Sequence, residues 1–167
     1  MKEIFERRSV RSYTDEDVTP QEEERLLRAA MQAPSAGNEQ PWHFVVIRDR
    51  EVMLEIEGSQ QYATMLKTAP MAVVVCGDKA CAKYPHEFWV QDCSAALENL
   101  LLEAVHLGLG AVWMGVYPVP ERVDNLKRIL GLPESVYPLG IVAVGHPDKA
   151  PQPADRFDAS RVHKNKW

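Results

Sequence analysis

The chain's 167 residues, 46% apolar and 26% charged, suffice for one domain with its own core and exclude a disordered or fibrous polymer. A net charge of −5 excludes the global basic field of a nucleic-acid binder, so the four positive charges among the first eleven residues are a local feature suited to a small anion. No apolar stretch of a signal peptide follows Met1-Lys2-Glu3-Ile4-Phe5-Glu6, which predicts a cytoplasmic protein.

The first stretch with chemical character is Glu6-Arg7-Arg8-Ser9-Val10-Arg11-Ser12-Tyr13. Three guanidiniums and the hydroxyls of Ser9 and Ser12 form a forked donor set that suits a doubly charged phosphate or the carbonyl edge of a planar ring. A solvated basic run is the competing reading. Thr19-Pro20-Gln21-Glu22 then predicts a helix start: Thr19 as N-cap, Pro20 in the first turn, and Glu22 closing a capping box. Leu26, Leu27, Ala30 and Met31 supply one apolar stripe, and Pro34 is expected to end the helix. Pro34-Ser35-Ala36-Gly37-Asn38 combines small residues, a permissive glycine and amides. Its backbone can approach a flat ligand closely, or it simply joins a helix to a strand.

Trp42 to Ile47 reads as a strand, followed by a short helix that Gly58 stops, a helical turn near Gln61 to Lys67, and a second strand over Ala72 to Cys76. Both strands lack polar alternation and are expected to be buried on two faces, which calls for helices above and below a sheet. Phe88 to Leu107 is the longest predicted helix. Its apolar residues cover far more than one stripe, while Asp92, Glu98 and Glu103 rule out a membrane span, leaving a central core helix or one packed on another subunit. Gly108 caps it, Ala111 to Val116 forms a third strand, Pro120 and Gly131 bound a further helix, and Leu139 to Gly145 makes a fourth strand. The Gly108-x-Gly110 pair is no dinucleotide fingerprint, because it follows a helix and precedes a strand. Cys76, Cys81 and Cys93 match neither a disulfide framework nor a zinc knuckle. The tail after Pro147 has a disordered composition, yet Phe157 and Trp167 give it apolar anchors for docking.

Taken together, the knot, the Pro34–Trp42 stretch and Gly108-Leu109-Gly110-Ala111-Val112-Trp113-Met114-Gly115 resemble, in order, the flavin-contacting segments of the FMN-dependent nitroreductase family in its short form. The likeness covers nearly the whole chain. It implies an α+β fold, a three-layer α-β-α sandwich with a mainly antiparallel central sheet, in one domain over residues 1–167. It also implies an intertwined homodimer with FMN at the subunit interface, the long helix in that interface and the tail from 147 packing on the partner. By resemblance, Arg7 and Ser9 match phosphate ligands with Arg8 alongside. Arg11 matches the cation at the flavin N1 and O2 edge, and Arg156 a second phosphate arginine. Pro34, Ser35 and Asn38 match the loop reaching the other subunit's flavin. Trp113, Met114 and Gly115 match the segment behind the ring, with the Gly115 N–H at N5. Ala36 stands where many relatives carry serine, and Gln61 or Thr64 where larger relatives place Asn and Lys.

The resemblance further implies an NAD(P)H-dependent oxidoreductase that passes hydride through flavin N5 to nitroaromatic, quinone or similar electron-poor small molecules by ping-pong kinetics, with no essential side-chain acid or base. The alternatives are a non-catalytic flavin carrier or sensor, or a same-fold enzyme of other chemistry: dehalogenation, flavin reduction or flavin destruction. No ribose 2′-phosphate pocket is legible to separate NADH from NADPH.

Overall fold

The computed structural model describes residues 2–150, 152 and 154–167. Its elements run α1 (Lys2–Glu6), α2 (Pro20–Ala30), β1 (Trp42–Ile47), α3 (Arg50–Gly58), β2 (Met71–Asp78), α4 (Trp89–His106), β3 (Gly110–Gly115), α5 (Pro120–Leu130) and β4 (Val136–Gly145). The four strands form one sheet in the order β1-β2-β4-β3, every pair antiparallel.

Alternation along the central strands divides the core into two layers. Val73, Val75, Val142 and Val144 face α2 and α4, while Ala72, Val74, Ile141 and Ala143 belong to the cluster that holds residues of α3 and α5. The three-layer α-β-α sandwich is thus present. β2 is buried from Met71 to Gly77, as its unbroken apolar run predicts. β1 is not: it lies at the sheet edge, with His43 exposed and Phe44 to Val46 only half-buried. Apolar content alone does not distinguish an edge strand covered by helices from a central one. β4 begins at Val136, earlier than expected, because Pro138 falls at a bulge opposite Val75 and Cys76 where no ladder donor is needed.

Local signals act where predicted. Thr19 Oγ1 accepts from the Glu22 N–H at 3.2 Å, and Glu22 Oε2 accepts from the Thr19 N–H at 2.8 Å. The helix they open ends at Ala30, before Pro34. Gly131 closes α5 in the left-handed conformation, φ 62°. Gly110 answers to sterics: a Cβ there would sit 2.6 Å from Val10 Cγ1. The reason is that the knot's backbone runs beside β3, with Ser9 bridged in parallel to Ala111 and the Val10 N–H donating to Ala111 O at 3.0 Å. Among the described residues, no helix is long and apolar enough to cross a membrane.

Candidate functional site

Two clefts meet along β3. The first, of about 370 Å³, is walled by Arg11, by Gln60, Tyr62 and Thr64 from the segment before β2, by Trp113 to Gly115, and by Arg122 of α5. The second, of about 440 Å³, holds Arg7, Ser9, Glu98, Tyr117 and Leu139, and shares Trp113 and Gly115 with the first. Trp113 is 37% exposed, and its indole rests on Gly140, where a Cβ would lie 2.3 Å from the ring nitrogen. A Cβ on Gly115 would meet nothing within 4 Å, so backbone is presented openly where the two clefts join.

The polar character of the clefts is uneven. The first contains two guanidiniums and no carboxylate. The side chain of Gln60, a residue only 8% exposed, holds an amide nitrogen that is buried without a hydrogen-bond partner among the described residues. An unanswered buried donor of this kind costs about 1–3 kcal/mol until an acceptor reaches it. In the second cleft Arg7 Nε lies 3.2 Å from Glu98 Oε1, an ion pair that an incoming anion must displace. Tyr117 donates to Glu87 Oε2 at 2.6 Å, and that bond holds the phenol's proton above its ordinary pKa.

The knot therefore splits. Arg7 and Ser9 line one cleft and Arg11 the other, whereas Arg8 turns to the tail. Its Nε donates to Gln152 O at 2.9 Å, Nη2 to Ala154 O at 3.0 Å, and Nη1 to Phe5 O at 3.0 Å. Trp113, Met114 and Gly115 lie in the first cleft, as do Gln61 and Thr64. Pro34, Ser35, Asn38 and Arg156 line neither. Sequence reasoning missed Gln60, Tyr62 and Arg122. Arg122 did carry a signal: a cation in the first turn of a helix opposes the helix dipole and needs another reason to be there.

The Ser35–Asn38 loop is built to hold its shape. Ser35 Oγ accepts from the Gln40 N–H at 2.9 Å, Lys83 Nζ donates to Gly37 O at 2.8 Å, and the Ala36 N–H donates to Asp92 Oδ1 at 3.0 Å. Gly37, Asn38 and Gln40 all take positive φ, near 50°, a conformation free to glycine that Asn38 and Gln40 hold only with such outside support. Asp92 is 5% exposed, and its Oδ2 has no hydrogen-bond partner among the described residues. Burial pushes this carboxyl's pKa up, with the Ala36 N–H acting in the opposite sense and Glu39 adding to the rise. A carboxyl with a raised native pKa holds its proton longer in the folded state than in the unfolded one. Its ionisation therefore subtracts stability as pH rises above the ordinary carboxylate value and through the native one. Asp92→Asn, which keeps an acceptor for Ala36, is expected to flatten this decline. Urea denaturation midpoints across the acid-to-neutral range will check it; an unchanged slope of midpoint against pH would show that Asp92 is not the titrating group.

The chain is similar to known proteins along nearly its whole length. Residues 4–146 match the sequence profile of the nitroreductase family. A protein of Archaeoglobus fulgidus provisionally named NADH dehydrogenase/NAD(P)H nitroreductase is 47% identical, across all of this chain and 98% of the relative. The solved structure of a provisionally named NADH oxidase from Clostridium acetobutylicum superposes with a TM-score of 0.95 at 48% identity, covering 99% of each chain. A structure from Desulfovibrio desulfuricans, described as a provisional nitroreductase in complex with FMN, gives a TM-score of 0.85 at 30% identity, covering 99% of this chain and 96% of that one.

Proposed function

Because the chain belongs to the nitroreductase family, we propose that it is an FMN-dependent oxidoreductase that takes electrons from NAD(P)H and delivers them to nitroaromatic, quinone or related electron-poor small molecules by ping-pong kinetics. The observation that carries this reading is the pair of joined clefts, one lined by the Arg7 guanidinium and the Ser9 hydroxyl, the other by the Arg11 and Arg122 guanidiniums and the buried Gln60 amide, which has no partner among the described residues. An FMN molecule is anionic at one end and rich in acceptors at the other, so the residues fit it. The FMN complex of the Desulfovibrio desulfuricans protein supports the same assignment.

When bound, the flavin supplies two-electron chemistry that no side chain here provides. The chain's own residues do the rest. Arg7 and Ser9 hold the phosphate, joined by Arg156 from the tail. Arg8 fixes the backbone between them. Arg11 places positive charge where the reduced ring is negative, and the Gln60 amide donates to a ring carbonyl. Trp113, Met114 and Gly115 back the ring, the Gly115 N–H serving N5. Pro34, Ser35 and Asn38 of the partner subunit close the site in a homodimer, with the tail from 147 packed across the boundary of a single-domain protomer. The exposure of Phe5, Phe157 and Trp167, at 76%, 79% and fully exposed, supports such an interface.

Absorbance of the purified protein tests the reading most directly. We expect flavin bands, FMN released on denaturation, and NAD(P)H oxidation that depends on an added quinone or nitroarene. A protein that binds FMN without acceptor-dependent turnover would be a carrier, and a colourless monomer with no affinity for FMN would end the proposal.

A further inference from the structure

Arginines in this protein are almost all answered from within it. Arg7, Arg25, Arg28, Arg48 and Arg128 pair with carboxylates, and Arg8 and Arg50 bond backbone carbonyls. The other two before the tail, Arg11 and Arg122, have no carboxylate partner among the described residues, bond one backbone carbonyl each, and both line the first cleft. Arg11 is accounted for by the flavin edge in the function proposed above. Arg122 is not.

The position of Arg122 is fixed by the fold. It lies in the first turn of α5, its Nη1 donates to Gly115 O at 2.9 Å, and its guanidinium carbon is 5.9 Å from the centre of the Tyr62 ring. The bond to Gly115 uses one of five guanidinium donors and leaves a fork for a ligand. Tyr62 is 67% exposed, an aromatic face at the lip of the cleft. Arg122 and Arg11 contribute one sign of charge to the cleft, with no carboxylate in its lining to neutralise them.

We propose that Arg122 and Tyr62 form the electron-acceptor subsite, and that they select planar aromatic acceptors bearing a carboxylate or another anionic group, stacked on Tyr62 and held by the Arg122 fork. This inference rests on the flavoenzyme reading. It adds a substrate preference: the anionic acceptor over its neutral isostere.

The test compares 4-nitrobenzoate with 4-nitrobenzamide on the FMN-loaded protein. It also compares the binding of unreactive benzoate with that of benzamide, followed by the flavin absorbance change. The wild type is expected to favour the anion about tenfold in kcat/KM and in dissociation constant, as one charge-assisted pair in a partly open site implies. Arg122→Gln is expected to erase that preference, bringing the ratio of anionic to neutral compound to about one, while Arg122→Lys retains part of it. Removing a cation from the start of α5 does not threaten the fold. A flavoenzyme with no preference for the anion, or a variant that loses both acceptors equally, would overturn the assignment. A variant that loses FMN would move Arg122 to the cofactor site and overturn it too. Absence of flavin binding and turnover in the wild type would instead sink the parent reading.

Discussion

Leu100→Ala is expected to lower folding stability by about 2–5 kcal/mol, from the lost transfer energy of the side chain and the cavity left behind. Leu100 is fully buried in α4, in the cluster where α2, α4 and the valines of β2 and β4 interlock. α4 is the pivot of this layer: Cys93, Ala96, Leu97, Leu100 and Ala104 have no exposure at all, so no neighbouring surface residue can collapse into the gap. Set against a net stability of roughly 5–15 kcal/mol for a domain, the loss is severe. Leu54→Ala in α3, where the side chain is 44% exposed, is the control, with an expected change of less than about 1 kcal/mol. Urea denaturation of both variants at constant m-value checks the contrast; equal losses would mean that α4 does not organise the core.

Arg7→Ala is expected to weaken FMN binding by about 1.5–3 kcal/mol, the range for a hydrogen bond to a charged group. The ion pair with Glu98 adds a second, oppositely signed expectation. Before an anion enters, Arg7 is held at 3.2 Å by a carboxylate that is itself 44% exposed, a pairing worth no more than about 1 kcal/mol. Glu98→Gln removes both the competitor and a negative charge from an anion's path, and should tighten FMN by up to about 1 kcal/mol. Fluorescence titration of flavin into apoprotein reads both. If Arg7→Ala retains FMN unchanged, Arg7 is a surface residue tied to Glu98 and the phosphate lies elsewhere.

Those features that depend on neighbours in sequence were legible before any coordinates. The Thr19 capping box, the Gly131 cap and the unbroken apolar run of β2 are local chemistry, and each element stands where that chemistry puts it. α1 escaped notice because five residues cannot sustain a helix alone; it exists by lying on α4, with Glu3 Oε1 and His106 Nδ1 3.0 Å apart. The edge position of β1 depends on which strands pair, which periodicity does not report. The site divides in the same way. Arg11 and Trp113 to Gly115 fall in the first cleft, Arg7 and Ser9 in the second, but Gln60 and Tyr62 come from a nondescript turn that only the tertiary fold carries to β3.

Arg8 stands in the chain between the two residues assigned to the phosphate, and its guanidinium carries the backbone of residues 152 and 154. Whatever tugs on the C-terminal segment therefore acts on the peptide that spaces Arg7 from Ser9. Thermodynamic reciprocity follows: seating an anion on that peptide must tighten the tail's attachment by the same factor that anchoring the tail tightens the anion. Proteolytic nicking beyond residue 154 would then report on cofactor occupancy from a distance.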